Sequence, residues 1–126
     1  ASIRNEFKTI IELTDKDQAH KKLLNEMPEN LCRYKNVYPY KKNTISIETP
    51  SKEINASWVH IPTINRFIMC QAPLDDCIDD FWQMCFQYNI NIIVMLCNEM
   101  EEGQIKSSTY WKLQKSSLFE IIDIKE

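Results

Sequence analysis

The chain has 126 residues, of which 44% are hydrophobic and 26% charged; these values are typical of one folded domain and exclude an intrinsically disordered chain. Its net charge of −3 argues against nucleic acid as the main partner, because contacting phosphates requires a surplus of cationic side chains. No apolar run approaches the length of a membrane span, and the first residues lack the apolar core of a signal peptide. We therefore expect a soluble protein of the cytoplasm or nucleus that binds neither membrane nor nucleic acid.

The cysteine and glycine content predicts a chain without a metal or a cofactor. An odd number of cysteines cannot all pair within one chain, and their spacing fits neither C-x-x-C motifs nor zinc ribbons, which favours reduced, buried thiols. The five are Cys32, Cys70, Cys77, Cys85 and Cys97. Dinucleotide fingerprints and Walker loops need several glycines, whereas this chain has only Gly103.

Helical spacing predicts two helices at the start of the chain. The first is amphipathic, because four apolar residues recur at intervals of three and four: Ile3, Phe7, Ile10 and Ile11. Thr14, with Asp17 three residues later, predicts the start of a second helix that ends at Pro28. That helix is expected to bury Ala19, Leu23, Leu24 and Met27.

Three strands are predicted in the middle of the chain, after an irregular segment at 29–43. Residues 44–48 alternate apolar and polar side chains, as a half-buried strand does. A second strand is predicted at 53–61, closed by Pro62, and a third at 66–71. Polar pairs before the first and third of these strands predict turns.

A helix and a buried strand are predicted next. Asp75 and Asp76 stand in the first turn of the helix, where acids favour its positive end, and Asn89 is expected to end it. One face carries Ile78, Phe81, Trp82 and Cys85. The near-continuous apolar run at 90–96 predicts a central strand covered on both faces. With two further strands predicted at 105–111 and 117–124, the chain is expected to form an α/β domain, a mixed twisted sheet with flanking helices.

Six short motifs follow one another along the chain: RYKNV at 33–37, INASWV at 54–59, FIMCQAPL at 67–74, DDFWQM at 79–84, IIVML at 92–96, and E-x-G-x-x-K-x-x-x-Y-W from Glu101 to Trp111. In sequence and order these motifs resemble those of the tyrosine-specific protein phosphatase domain. The resemblance covers residues from about 22 to 126 and corresponds to the N-terminal half of that domain. It implies that residues 1–126 form a partial phosphatase-like domain, truncated before the catalytic loop.

The resemblance also implies roles for five residues. In relatives, the Tyr that matches Tyr34 forms one wall of a deep cleft and stacks on the phosphotyrosine ring, a contact worth ~0.5–1.5 kcal/mol beyond the buried area. Asn36 matches a residue that hydrogen-bonds the substrate backbone, and Lys106 matches a lysine at the cleft rim near the phosphate. Glu101 matches a glutamate that steadies the phosphate-binding arginine, and Arg33 is expected to support the same site. From its residues alone, Tyr34 would equally fit an ordinary loop tyrosine that stacks on neighbouring cations.

The catalytic groups that the resemblance implies are missing from these residues. The family's nucleophile is a Cys followed six positions later by Arg, and none of the five cysteines has Arg at that position. Its general acid follows a Trp-Pro pair, but each of the three tryptophans precedes a different residue. We therefore expect a catalytically inactive, phosphatase-like protein that binds phosphotyrosine proteins or a signalling partner. Two alternatives stay open: a fragment of an active phosphatase that works through a cysteinyl-phosphate, and a decayed gene product without activity.

In its high content of Ile, Asn and Lys, the sequence resembles a narrower group, the phosphatase-like proteins that polydnaviruses of parasitoid wasps encode. This group includes many catalytically incomplete copies. The resemblance implies a location in the cytoplasm of an infected host cell, where the protein would interfere with host phosphotyrosine signalling.

Overall fold

A computed structural model describes residues 2–16, 23–35, 37–48, 50–63 and 66–112. Two α-helices are present in these ranges: α1 at Ile3–Lys16 and α2 at Ile78–Gln87. The strands are β1 at Thr44–Glu48, β2 at Ser51–His60, β3 at Arg66–Cys70, β4 at Met100–Glu101 and β5 at Gln104–Ile105. Short 3-10 turns lie at Glu29–Leu31, Lys41–Asn43 and Asp75–Cys77.

The first three strands form an antiparallel sheet in the order β1-β2-β3. β2 is long enough to pair with both neighbours, with β1 along its first half and with β3 from Ala56 onwards. The alternation in β1 places Ile45 and Ile47 on one face, where they are 0% and 1% exposed. The polar residues that alternate with them face solvent, so the period of two in the sequence determines which face of the sheet is buried.

The core lies between this face of the sheet and helix α2. Phe81 and Met84 are buried in one cluster with Ile45 and Ile47, and Tyr110 joins them from the end of the described chain. The Trp82 Nε1–H donates a hydrogen bond to the backbone carbonyl of Tyr110 at 3.0 Å. This contact fixes the segment after β5 against the helix, so the core includes residues that are distant in sequence.

One charge is buried at this helix–sheet interface. Asp80 of α2 is only 9% exposed, and its Oδ2 lies 2.6 Å from the Nζ of Lys52 in β2. A buried carboxylate is costly unless it is paired, and removing the partner of such a pair is more damaging than the pair is stabilising. The pair joins α2 to β2 and offsets the cost of burying the carboxylate, so its net contribution to stability is expected to be small.

The predictions for the amino-terminal region are partly confirmed. Helix α1 forms where its apolar period predicts. The prediction of a second helix is wrong at its end, because Leu23 lies in a turn and Leu24 forms an isolated antiparallel bridge with Tyr40. The amide of Asn25 donates to the Pro39 carbonyl at 2.7 Å, so pairing across the chain takes the place of helical hydrogen bonds here. Met27 is buried as predicted, Leu23 is 57% exposed, and residues 17–22 lie outside the described ranges.

The strand predicted at 90–96 is also wrong. No strand is present there, and Ile92, Val94 and Leu96 are 80%, 73% and 90% exposed. A strand requires hydrogen-bonded neighbours, and within the described residues the amides at 91–97 donate to no backbone carbonyl. An apolar run predicts buried side chains, but the described parts of the chain do not bury these three.

The strand predicted at 105–111 is absent, and a short hairpin at 100–105 is present instead. β4 and β5 pair through two residues each, and the turn between them uses Glu102 and Gly103, whose φ values are 49° and 73°. Two successive positive φ values are the geometry of a type I′ turn, and glycine adopts them without steric cost. Ser107 and Ser108 are then buried outside any strand, and the strand predicted at 117–124 lies outside the described residues.

The fold predicts a large difference between two Ile→Ala substitutions. Ile45→Ala should lower the free energy of unfolding by about 2–4 kcal/mol, because it leaves a cavity under the sheet. Ile92→Ala removes the same atoms from a side chain that is 80% exposed and should cost less than about 0.5 kcal/mol. Urea unfolding followed by circular dichroism measures both, and equal losses would contradict the position assigned to the core.

Candidate functional site

Two of the predicted site residues lie together in the structure. Tyr34 is 45% exposed on the loop that follows the Glu29–Leu31 turn. The Nζ of Lys106, just after β5, lies 5.6 Å from the centroid of the Tyr34 ring, within the range of a cation–π contact. The same ammonium group donates to the Gln104 Oε1 at 3.2 Å. A half-exposed aromatic ring with an ammonium group over one face can stack on a planar ring through its other face and attract an anion.

The Arg33 side chain holds these two residues in place. Its Nε donates to the carbonyl of Ala72 at 2.9 Å and its Nη2 to the carbonyl of Pro73 at 2.5 Å. Its Nη1 donates to the carbonyl of Ile105 at 3.3 Å. One planar guanidinium therefore joins the Tyr34 loop, the segment after β3 and the residue next to Lys106. No other side chain type offers as many donors in a fixed geometry, and lysine could not replace it.

A second set of hydrogen bonds fixes the loop on its other side. The Gln71 Oε1 accepts from the backbone amide of Arg33 at 2.8 Å, and its Nε2 donates to the carbonyl of Leu31 at 2.8 Å. The Nδ2 of Asn55 donates to Gln71 at 3.2 Å and to the carbonyl of Val37 at 3.0 Å. Asn55 belongs to β2 and Gln71 directly follows β3, so the sheet positions the Tyr34 loop.

Gln71 is the residue that sequence reasoning missed. It stands inside a motif that carried the resemblance, but no site role was predicted for it. The available signal was a polar amide directly after a strand and just before Ala72-Pro73, where the chain leaves the sheet. Asn55 supports Gln71 through contacts to a backbone carbonyl and to the Gln71 side-chain amide.

The remaining predicted site residues are Glu101 and Asn36. Glu101 is half-buried in β4, and its Oε1 accepts from the backbone amide of Asn98 at 3.0 Å, which ties the hairpin to the preceding loop. Asn36 lies outside the described residues.

Lys35 supplies a further positive charge directly after Tyr34 in the chain. It forms an ion pair with Glu29 at 3.5 Å, but the two side chains are 77% and 75% exposed. Such a solvated pair contributes little to stability. The Lys35 charge can therefore exchange this partner for an anionic ligand at small cost.

Three thiols of this chain are electrostatically unsuited to act as nucleophiles. Burial, reinforced by the nearby Cys70, raises the pKa of Cys85 to about 12. Desolvation by neighbouring residues also raises the pKa of Cys70, and desolvation together with Asp80 raises that of Cys77. The thiolate is the reactive form of cysteine, so these three groups are protonated and inert at neutral pH. The prediction that the cysteines are buried is confirmed for Cys85 only, since Cys70 is exposed and Cys32, Cys77 and Cys97 are half-buried.

A small, partly open cavity of about 40 Å³ is lined by residues that include Leu31, Gln71 and Phe81. Within the described residues, no group of three His, Cys, Asp or Glu side chains is placed to hold a metal ion. The same part of the chain contains no helix with the length and apolar character needed to cross a lipid bilayer.

Comparison with known proteins identifies the class. The profile of the family described as protein-tyrosine phosphatase matches residues 28–125. Among curated proteins, the chain is 35% identical over 111 residues to mouse tyrosine-protein phosphatase non-receptor type 13, covering 84% of this chain and 4% of that protein. It is 36% identical over 96 residues to rat tyrosine-protein phosphatase non-receptor type 20, covering 74% of this chain and 22% of that protein. The chain therefore belongs to the protein-tyrosine phosphatase family.

Solved structures show the same fold. PTPN18 in complex with HER2-pY1248 phospho-peptides superposes with a TM-score of 0.74 and 26% identity, covering 91% of this chain and 47% of that one. PTPN18 with HER2-pY1196 phospho-peptides gives a TM-score of 0.70 and 27% identity, covering 86% and 41%. This confirms the predicted phosphatase fold. The chain spans less than half the length of these solved relatives, and 4–22% of the curated relatives named above.

The guanidinium contacts predict a local effect of Arg33→Gln. Loss of its donors to Ala72, Pro73 and Ile105 should lower stability by about 1–3 kcal/mol, since hydrogen bonds from charged groups are stronger than average. Hydrogen exchange followed by mass spectrometry should become faster at 31–35 and at 105–106. Lys35→Gln is the matched control and should leave exchange unchanged, because its ion pair is exposed. Equal exchange in the Arg33 variant and the wild type would show that the guanidinium does not hold the loop.

The raised pKa of Cys85 predicts a loss of stability at high pH. A thiol whose pKa is 9.0 when unfolded and about 12 when folded stabilises the fold fully below pH 9. That contribution disappears as the pH rises from 9 towards 12, because the unfolded chain releases the proton more easily. The difference in unfolding free energy between the wild type and Cys85→Ala should therefore shrink as the pH is raised from neutral through this window. A difference that is independent of pH would contradict this.

Proposed function

We propose that this chain binds phosphotyrosine-containing segments of proteins and does not itself hydrolyse the phosphate ester. The observation that carries the proposal is the Tyr34 ring with the Lys106 ammonium group 5.6 Å from its centroid. A phosphotyrosine side chain has the matching pair of features, a planar ring and a dianionic phosphate. The ring would stack on Tyr34, and the phosphate would lie towards Lys106 and the exposed Lys35.

The arrangement favours recognition of phosphotyrosine over phosphoserine. Stacking on an aromatic ring adds about 0.5–1.5 kcal/mol to burial, and phosphoserine has no ring to gain it. The surrounding cations would attract both phosphoamino acids alike. The solved PTPN18 structures contain HER2 phospho-peptides, which supports this class of ligand for a relative with the same fold. With a single wall and no enclosed phosphate site among the described residues, we expect modest affinity.

The proposed lack of hydrolysis rests on the thiol chemistry. Attack on phosphorus requires a thiolate whose pKa is lowered by nearby cations or a helix N-terminus, with an arginine to hold the phosphate. Here the residues six positions after the five cysteines are Tyr38, Asp76, Gln83, Asn91 and Gly103. The shifts in pKa of Cys70, Cys77 and Cys85 are all upward, opposite to what a nucleophile needs.

A second candidate function is that of the recognition half of an active phosphatase. The observation that favours it is the coverage of the solved relatives, of which this chain matches 41–47%. In that case a longer protein that contains these residues would hydrolyse phosphotyrosine through a cysteinyl-phosphate. Sequencing the transcript downstream of the codon for Glu126 decides between the two, since only the second requires a Cys-x5-Arg segment there.

The cellular setting of the proposed binding is the cytoplasm. The curated relatives are described as non-receptor phosphatases, and the proposed ligands are phosphorylated signalling proteins. If the resemblance to polydnavirus proteins reflects the source, the ligands are those of the infected host, and binding would shield their phosphotyrosines from host proteins.

Binding of a fluorescent phosphotyrosine peptide tests the proposal. Fluorescence polarisation should show saturable binding that is absent for the unphosphorylated peptide. Tyr34→Ala should weaken it by about 2- to 10-fold, the equivalent of the lost stacking energy. Lys106→Gln should weaken it and reduce its dependence on salt.

Two controls make that measurement decisive. Tyr40→Ala removes a tyrosine that is 38% exposed, comparable with Tyr34, and should leave binding unchanged. The same protein preparation should release no phosphate from p-nitrophenyl phosphate. Turnover that purifies with the chain would refute the inactive interpretation, and equal binding by all three variants would refute the assigned surface.

A further inference from the structure

The two cations beside Tyr34 differ in whether an acidic side chain neutralises them. The ammonium group of Lys106 lies 5.6 Å from the centroid of the Tyr34 ring and donates to the uncharged amide of Gln104. In the part of the chain that the structure describes, no carboxylate lies within ion-pair distance of Lys106. The Nζ of Lys35, by contrast, lies 3.5 Å from the Oε2 of Glu29. The surface therefore has one uncompensated cation and one that already has a counterion.

The backbone around Glu29 keeps its carboxylate close to Lys35. Glu29 is the first residue of the Glu29–Leu31 turn, and its carbonyl accepts from the amide of Cys32 at 3.1 Å. The Leu31 carbonyl accepts from the Nε2 of Gln71 at 2.8 Å, which fixes the turn to the end of the sheet. The ion pair thus links two ends of one short segment whose backbone is held in place.

Lys35 is placed to meet the residues next to a bound phosphotyrosine. It directly follows Tyr34, so their Cα atoms are only about 3.8 Å apart. An acidic residue of the ligand that pairs with Lys35 must displace Glu29, and one exposed carboxylate then replaces another. Exchange between two such solvated pairs brings almost no net gain, and it leaves the Glu29 carboxylate beside that of the ligand. The phosphate itself carries a charge of about −1.5 to −2 and has the uncompensated Lys106 beside it.

We infer that Glu29 is a specificity-determining residue, which competes with the ligand for Lys35 and so cancels the attraction of this surface for acidic residues beside the phosphotyrosine. The inference rests on the proposed function, because it concerns the ligands of the same surface. Specificity is a difference of affinities, and an internal counterion reduces one of the two. The ligands are then selected by the phosphotyrosine itself, and segments with acidic neighbours gain no advantage over segments with neutral ones.

Two fluorescent phosphotyrosine peptides test the inference, one with glutamates on both sides of the phosphotyrosine and one with glutamines. Fluorescence polarisation gives the affinity of each, and the wild-type chain should bind the two within about 2-fold of each other. Glu29→Gln frees Lys35 and should favour the glutamate peptide over the glutamine peptide by about 3- to 5-fold, the range of one exposed ion pair. Adding Lys35→Gln to that variant should bring the ratio back below about 2-fold.

A matched control separates the local ion pair from overall charge. Glu48→Gln makes the same change in net charge at an exposed position of β1 and should leave the ratio of the two affinities as in the wild type. The Glu29 side chain is 75% exposed, so Glu29→Gln should leave the circular dichroism unchanged.

The outcomes distinguish this inference from the proposed function. A wild-type chain that prefers the glutamate peptide by more than about 5-fold would overturn the inference alone, as would a ratio that Glu29→Gln leaves unchanged or that Glu48→Gln shifts equally. In each of these cases phosphotyrosine binding, and with it the proposed function, would stand. Equal binding of the phosphorylated and unphosphorylated peptides would refute the proposed function and this inference together.

Discussion

The site depends on one guanidinium group. Arg33 donates to carbonyls at Ala72, Pro73 and Ile105, so a single side chain joins three segments that no β-ladder connects. The backbone carbonyls after β3 and at the hairpin need hydrogen-bond donors. The guanidinium is planar and its N–H groups point in fixed directions, so it donates to all of these carbonyls at once. Because Tyr34 follows Arg33 and Lys106 follows Ile105, these hydrogen bonds place the ammonium group over the aromatic ring. The position of these two side chains is therefore a consequence of the hydrogen bonds that the backbone carbonyls require.

The three-stranded sheet is what makes that arrangement rigid. Ile45 and Ile47 anchor β1 under helix α2, and the ladder transmits their position through β2 to β3. Asn55 and Gln71 then extend from the sheet to the loop that carries Tyr34. Loops at functional sites are usually positioned by a scaffold in this way. Here the sheet, the loop and Lys106 all lie within the described residues, so the geometry around Tyr34 is fixed by this part of the chain.

Sequence patterns predicted the parts of the fold whose partners are close in the chain. The alternation at 44–48 and the helical spacing at 78–85 each act within one element, and both elements form. The helix begins later than predicted, at Ile78, because Asp75 and Asp76 lie in a 3-10 turn before it. The prediction of a strand at 90–96 failed because an apolar run indicates a buried strand, and the described chain does not provide neighbours that bury it. The prediction of a helix at Leu24 failed for a related reason. The pairing of Leu24 with Tyr40 is a tertiary contact that local propensity cannot reveal. In the site, the resemblance predicted Tyr34 and Lys106, whereas the role of Gln71 depends on contacts between segments far apart in sequence.

Burial has opposite effects on the stability of the core and on the reactivity of the Cys85 thiol. The core gains stability by taking Cys85 out of water, and the same desolvation raises its thiol pKa to about 12. A nucleophilic cysteine would need the reverse, a solvated or cation-facing position that contributes little to packing. Tyr34, by contrast, is 45% exposed and contributes little to the core. The buried Cys85 thiol is thus poorly suited to attack phosphorus, because the desolvation that accompanies its packing also holds it in the protonated form.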